Sequence, residues 1–179
     1  MEYWFWISIC YSFLGYLLER VFACVTHATK QVRKCFLLLP LCPVYGLAVA
    51  IHLALLPEDV TLLRLVVQGA AVTTAVEYAV HLFYDRMIGV RFWDYTGVWG
   101  NLNGRVCIPF SAAWGLLSAG AVLWIQPVVE RVIFSAMPPE LTLAAWMVVT
   151  ADILLSLRLL RRSGDTELLS WRAMSERFG

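Results

Sequence analysis

Charged residues are scarce in this sequence. Asp, Glu, Lys and Arg make up 15% of its 179 residues, compared with about 25% in soluble domains, and 60% of the residues are hydrophobic. The formal net charge is only +1, which gives a nucleic-acid partner no electrostatic basis. The composition therefore predicts an integral membrane protein whose main environment is the lipid bilayer.

Motifs of several enzyme and metal-binding classes are also missing. The chain has no GxxxxGK[ST] phosphate loop, so we expect no ATPase of its own, and it has no GxSxG nucleophile motif. The histidines show neither an HxxxH nor an HExxH spacing, so we expect no metal and no cofactor, and we assign no catalytic residue. The cysteines lie apart without a CxxC pair, which favours buried or reduced thiols over a disulfide framework.

What the sequence does contain is five apolar stretches of about the 20 residues that cross a bilayer as a helix. They cover residues 4–24, 36–56, 60–83, 106–129 and 141–160. The first lacks the basic leader and cleavage site of a signal peptide, so we expect it to be retained. The predicted fold is all-α, a polytopic membrane bundle of five transmembrane helices over residues 1–160, followed by a polar, amphipathic cytoplasmic tail over residues 161–179.

Lysine and arginine are distributed unequally between the predicted loops. Most of them lie in the loops after the first and third stretches and in the tail, whereas the loops on the opposite side hold only Arg64 and Arg131. Positively charged loops remain in the cytoplasm. The distribution therefore predicts a multi-pass protein of the cell membrane, with its N-terminus outside and its C-terminus in the cytoplasm.

Two acidic residues near the cytoplasmic ends of the first and third stretches are candidate binding residues. Glu19 is one, and Glu77 is the other, with Thr73 and His81 at four-residue spacing on the same helical face. A carboxylate beside hydrocarbon is costly and usually faces the bundle interior or water. Glu19, Glu77 and His81 thus predict a cation or proton site, and the alternative is structural pairing with a neighbouring helix. Asp152 is an isolated acid in the last stretch, and no neighbouring residue assigns it a function.

The longest interval without an apolar run in the first 160 residues is FWDYTGVWGNLNGR, residues 92–105, which we name the polar loop. Its candidate site residues are Trp93, Asp94, Tyr95, Asn101, Asn103 and Arg105. Arginine offers a rigid fork for phosphate or carboxylate, and a helix N-terminus also favours an anion, so one hypothesis is an anionic headgroup or substrate site. The alternative is that the asparagines cap the next helix, Arg105 pairs with Glu19 or Glu77, and the tryptophans anchor the interface.

A further set of residues is predicted to shape the backbone or the packing. The set comprises Pro43, Tyr45, Gly46, Gly104 and Gly115. Pro43 and Gly46 lie near the start of the second stretch and predict that its first turns are bent or non-helical. Gly104 lets the polar loop turn, and Gly115 belongs to a row of small residues that predicts close helix packing within the chain or between subunits.

Several of these motifs together resemble a known family. They are FLGYLLE at 13–19, CPVYG at 42–46, Glu77-Tyr78, GVRFWDY at 89–95, NLNGRVC at 101–107 and the segment 110–116. Over residues 4–128 the chain resembles the CmpB-like bacterial membrane proteins described as ABC transporter permeases of type IV. The resemblance implies a multi-spanning membrane fold and carries family positions over to Glu19, Glu77, the 93–95 triplet and the 101–105 segment apart from Leu102.

The sequence and the resemblance together favour a transport or permease-like protein without its own ATPase. We expect its polar site at the cytoplasmic end of the bundle, built from Glu19, Glu77 and residues 92–105. Expected partners are a second copy of the chain and a separate ATPase or other cytoplasmic protein. The alternatives are a membrane-embedded enzyme acting on a lipid or phosphate-bearing headgroup, and a non-catalytic membrane sensor or scaffold.

Overall fold

The protein is mostly helical in a computed structural model that describes residues 2–26, 35–57, 59–136 and 139–169. In these ranges the α-helices are α1 (Glu2–Val25), α2 (Pro43–Ala54), α3 (Leu62–Phe83), α4 (Ile108–Gly120), α5 (Gln126–Ala136) and α6 (Pro139–Ser163). A π-helical turn (Tyr84–Ile88) extends α3, another (Ala121–Ile125) joins α4 to α5, and a 3-10 helix (Thr166–Leu169) follows α6. Two short antiparallel strands, β1 (Asn101–Leu102) and β2 (Val106–Cys107), form a hairpin before α4.

In the described part of the chain, four helical segments are long and apolar enough to cross a membrane. They are Glu2–Val25, Leu62–Ile88, Ile108–Ile133 and Glu140–Ser163, and they correspond to the first, third, fourth and fifth predicted stretches. Proline lies in the first turn of α2, α4 and α6, where its fixed φ suits a helix start and its missing N–H leaves no bond unmade. The prediction of a helical membrane bundle is confirmed, and the orientation of the bundle stays a prediction.

The second predicted span is wrong in length. Its helix, α2, has only 12 residues and measures about 18 Å, whereas the hydrocarbon core of a bilayer is about 30 Å thick. Residues 35–42 before it are non-helical, as Pro40 and Pro43 predicted. Irregular backbone needs partners for its N–H groups, and here the carboxylate of Asp152 accepts bonds from the backbone nitrogens of Leu38 (3.2 Å) and Leu39 (3.1 Å).

A disulfide closes this irregular segment. Cys35 and Cys42 are bonded to each other, with their Cα atoms 4.7 Å apart. The prediction of buried or reduced thiols is therefore wrong for this pair, because the bends between residues 36 and 40 bring together two cysteines that the linear spacing did not mark as partners. Cys10, Cys24 and Cys107 are free thiols.

Glycines allow the helices around the centre of the bundle to approach closely. A Cβ atom on Gly115 would lie 2.6 Å from the backbone oxygen of Val66, so α4 packs against α3 at this point. A Cβ atom on Gly46 would collide with the backbone of Ser8, which places α2 against α1 in the same way. The row of small residues around Gly115 thus packs within the chain.

The predicted tail begins inside a helix. α6 continues to Ser163, and both leucines of the 3-10 helix, Leu168 and Leu169, are buried. Leu169 belongs to the same apolar cluster as Leu160. The remaining residues of the predicted tail, 170–179, lie outside the described part of the chain.

Candidate functional site

A cavity of about 360 Å³ lies between α1, α2, α3 and α4, and the polar loop forms part of its wall. Most of its lining is aliphatic. Its polar and aromatic lining residues are Tyr11, Glu19, Tyr45, Thr73, Glu77, Trp93, Tyr95, Trp114 and Ser118. Glu19, Glu77, Trp93 and Tyr95 are thus candidate site residues from separate parts of the sequence that line the same cavity.

Glu77 reaches the cavity from α3, and a residue of the polar loop bonds to it. The side chain is buried, with 8% of its surface exposed, and the Tyr95 hydroxyl donates a hydrogen bond to Glu77 Oε1 over 2.9 Å. Burial of the phenol, and then the negative charge of Glu77, raise the pKa of Tyr95. Tyr95 therefore remains protonated at neutral pH and remains a donor to the carboxylate.

Glu19 reaches the same cavity from α1. The Tyr45 hydroxyl of α2 donates to Glu19 Oε1 over 2.6 Å, in a half-buried position. Gly15, one helical turn before Glu19, makes room for this contact, since a Cβ atom there would overlap the Tyr45 ring. Tyr45, expected only to shape the backbone, is therefore also a wall residue of the cavity, and the Pro43 start of α2 sets its position.

His81 contacts Trp93, a residue of the cavity wall, without lining the cavity itself. Its Nε2 atom lies 3.0 Å from the backbone oxygen of Trp93, and its ring meets the Trp93 ring edge-on at 5.2 Å between centroids. On the other side, the Trp93 indole N–H donates to the backbone oxygen of Arg105 over 2.9 Å. His81 is 3% exposed and does not line the cavity, so it positions Trp93 within this geometry.

Arg105 lies in a second polar cluster, outside the cavity. Its Nη2 atom is 2.9 Å from Asp85 Oδ2, and Asp85 also accepts a bond from Arg91 Nε over 2.9 Å. The Arg105 guanidinium lies over the Tyr78 ring, 5.4 Å from its centroid, and the Tyr78 hydroxyl accepts a bond from Asn103 Nδ2 over 3.0 Å. We name Tyr78, Asp85, Arg91, Asn103 and Arg105 the loop network.

The loop network corrects one sequence-based alternative. Arg105 was expected to pair with Glu19 or Glu77, but its carboxylate partner is Asp85. Sequence reasoning missed Asp85, although it is the only acidic residue between Glu77 and Asp94 and stands next to the basic residues of this loop. The missed cavity residues include Trp114, which lies one helical turn beyond Phe110 on α4.

Asp94 and Asn101 build the turns of the polar loop. Asp94 Oδ1 accepts bonds from the backbone nitrogen of Thr96 (2.8 Å) and from its hydroxyl (2.5 Å). These two bonds hold the pKa of Asp94 below its usual value. Asn101 donates to the backbone oxygen of Val98 and accepts from the backbone nitrogen of Gly104, whose φ of +68° suits a residue without a Cβ atom.

The prediction that the asparagines cap α4 is wrong. Asn101 belongs to β1 and Asn103 to the turn of the hairpin, so β2 separates both from the helix. The N-cap residue of α4 is Cys107, which makes no side-chain cap bond. Within the described ranges, no group of three or more His, Cys, Asp and Glu side chains is placed to hold a metal ion.

A comparison with protein families relates this chain to a known family. The family model described as "Putative ABC-transporter type IV" matches residues 5–157. The chain belongs to this family. The match extends beyond the motifs in residues 4–128 to most of α6, and with the four long apolar helices it identifies a multi-pass membrane protein related to transport. Comparisons with curated proteins and with solved structures give no match.

Proposed function

We propose that this type IV family member is the membrane-embedded permease component of a transporter, and that its solute binds in the cavity between α1, α2, α3 and α4. The observation that carries the proposal is the position of Glu19 and Glu77. They are 58 residues apart in the sequence, they come from different helices, and both line one cavity in an otherwise apolar bundle. Acidic groups in such surroundings are costly, and they are usually retained along solute or ion pathways.

The backbone around the cavity supports the same proposal. Transporter sites are often formed where a membrane segment is interrupted and its neighbours are short or irregular. Here α2 is a short helix that follows the non-helical residues 35–42, and the polar loop brings Trp93 and Tyr95 to the opposite wall. The charges of the loops predict that the end of the bundle bearing the polar loop faces the cytoplasm. A separate ATPase on that side would supply energy.

The geometry gives less support to an enzyme acting on phosphate-bearing headgroups. Such a site needs a cation beside the phosphate. Among the residues that the structure describes, none of those lining the cavity is Lys, Arg or His, and Arg105 is held by Asp85 in the loop network. A sensor or scaffold requires neither a cavity nor two carboxylates facing it.

Native membrane vesicles provide the test, because they retain any ATPase partner. Vesicles from cells that produce the wild-type chain, Glu77→Gln or Glu140→Gln are energised with ATP and incubated with a cytosolic metabolite extract, and accumulated solutes are quantified by mass spectrometry. We expect at least one solute to differ about fivefold or more between wild type and Glu77→Gln, with Glu140→Gln resembling wild type, since Glu140 lies exposed on α6. Identical solute profiles for wild type, Glu77→Gln and vesicles without the protein would overturn the proposal.

A further inference from the structure

We propose that the cavity binds an amphipathic organic cation, a molecule with an apolar body and a positive charge, which enters sideways from the bilayer. This inference rests on the proposed function and specifies its substrate class. It follows from the sign of the charges in the lining, from the aromatic rings beside them and from the position of the opening.

The charge in the cavity lining is of one sign. Glu19 and Glu77 line it, and among the described lining residues there is no Lys, Arg or His. Charges interact more strongly in surroundings of low dielectric constant than in water. An anionic ligand in this cavity would be repelled by both carboxylates, whereas a cationic ligand would be attracted by both.

Aromatic side chains lie beside these carboxylates and favour an organic cation over a bare ion. The Tyr45 and Trp114 rings meet edge-on at 5.6 Å between centroids, and Tyr95 and Trp93 form the wall next to Glu77. Ring faces attract quaternary ammonium and similar groups, which carry diffuse charge and little hydration. A small metal ion would instead need several oxygen ligands, which these rings do not supply. The aliphatic remainder of the lining suits an apolar body.

The exposed lining side chains come from α1 and from the α4 side, so we infer that the cavity opens between these helices. Contacts join this side of the bundle at each end of the opening. Phe22 and Phe110 approach with ring centroids 6.5 Å apart, and the Tyr11 hydroxyl donates to Gln126 Oε1 over 3.0 Å.

Between these contacts, exposed apolar side chains from both helices also line the cavity. They are Leu17, Leu18 and Val21 on α1, and Leu117 and Ile125 on the α4 side. Because α1 and α4 belong to long apolar segments, this opening faces hydrocarbon when the bundle lies in a membrane. The route suits a ligand that already partitions into the bilayer.

Tetraphenylphosphonium and tetraphenylborate test the ligand class, since they have the same shape and opposite charge. Binding of each labelled ion to the full chain in lipid nanodiscs is measured at equilibrium. We expect saturable binding of the cation only, about tenfold weaker in Glu19→Gln and in Glu77→Gln, unmeasurable in the double variant and unchanged in Glu140→Gln. Equal binding of the two ions, no saturable cation binding, or unchanged affinity in the double variant would overturn the ligand class.

The comparison of the two ions uses wild-type protein, so it tests the preference for a cation even if the Glu77→Gln chain fails to fold. The outcomes also separate this inference from the proposed function. Saturable, carboxylate-dependent cation binding without any Glu77-dependent solute accumulation would support the ligand class and overturn the transport role. Glu77-dependent accumulation of other solutes, without cation binding, would support the transport role and overturn the ligand class.

The lateral route has its own measurement. Leu117→Trp narrows the opening, so we expect it to slow tetraphenylphosphonium association about fivefold and to change the dissociation constant less than about twofold. Leu143→Trp is the matched control, because Leu143 is exposed on α6 and does not line the cavity. An association rate for Leu117→Trp equal to that of the control would overturn entry between α1 and α4.

Discussion

Glu77 and Asp152 are both acidic residues buried in long apolar helices, yet their oxygens meet different partners. Their side chains are 8% and 6% exposed. The two oxygens of Asp152 accept bonds from the backbone nitrogens of Leu38 and Leu39, which the fold fixes in place. Glu77 accepts a bond from the Tyr95 side chain and lines a cavity. Two acids buried to the same extent thus differ in their surroundings, because Asp152 bonds to backbone atoms and Glu77 borders a cavity.

The comparison assigns Asp152 a structural role. Residues 35–42 are non-helical, and buried backbone N–H groups without acceptors are costly. The carboxylate of Asp152 supplies two charged acceptor atoms in one side chain, so it anchors this segment to α6. Glu77 accepts the Tyr95 hydroxyl bond and lines the cavity, and we propose that it acts there as a binding residue.

The largest effect is expected from Asp152→Ala. The change removes both acceptors from the N–H groups of Leu38 and Leu39, and we expect it to lower the free energy of unfolding by about 3 kcal/mol. Asp152→Asn retains one acceptor oxygen, and we expect roughly half the loss. Unfolding in detergent, followed by tryptophan fluorescence, measures both.

Glu77→Gln is the matched comparison for this experiment. Its amide oxygen can still accept the Tyr95 hydroxyl bond, so we expect a loss of about 1 kcal/mol or less together with weakened ligand binding. The two acids would not differ as described if Asp152→Ala unfolded like wild type, or if it impaired cation binding as strongly as Glu77→Gln does.

The sequence identified both Glu77 and Asp152 as acidic residues in apolar stretches. Helical periodicity, however, could predict the surroundings of Glu77 only. Thr73, Glu77 and His81 lie on one helical face, which indicated a polar stripe towards the bundle interior. Asp152 bonds to backbone atoms more than one hundred residues earlier in the chain. No pattern of side-chain types can reveal a bond to a backbone N–H, because every residue except proline carries that group.

The same limit explains the other differences between prediction and structure. Hydropathy predicted the four long apolar helices of the described ranges correctly, since a long apolar helix is a local property. It also counted the irregular residues 36–42 as part of a second span. Charge types indicated that Arg105 has an acidic partner, and only the three-dimensional course of the loop selects Asp85 over Glu19 and Glu77. The π-helical turn after α3 carries Asp85 to that position.

A smaller effect is expected from opening the disulfide of the same segment. Cys35→Ser with Cys42→Ser releases a short loop, and we expect the oxidised protein to lose about 2 kcal/mol of stability. Reductant should lower wild-type stability to that of the variant and leave the variant unchanged. Cys24→Ser is the control, because Cys24 is an exposed free thiol.

The disulfide also bears on orientation and on the role of Asp152. Loop charges predict that residues 35–42 face the cytoplasm, where thiols are usually kept reduced. With the disulfide reduced there, the Asp152 bonds would carry more of the anchoring of this segment, so Asp152→Ala should destabilise the reduced protein at least as much as the oxidised one. Labelling of Cys35 and Cys42 in intact cells by a membrane-impermeant thiol reagent, after mild reduction, would contradict the predicted orientation.

The smallest effect is expected at Asp94, an exposed acid that extends the comparison to the loop bearing Tyr95. The Thr96 hydroxyl and backbone N–H hold the pKa of Asp94 below its usual value. A carboxyl group with a lowered folded-state pKa stabilises the fold above its unfolded pKa of about 4, and this contribution disappears as the pH falls through the folded value.

The wild-type chain should therefore lose slightly more stability between about pH 5 and pH 2 than Asp94→Asn. Thr96→Ala keeps the carboxylate and removes the hydroxyl donor, so its pH dependence should lie between the two. Unfolding curves across this pH range provide the measurement, and the difference between variants isolates Asp94 from the other titrating groups. If all three proteins share one pH dependence, the Asp94–Thr96 bonds do not fix the turn that carries Tyr95 to Glu77.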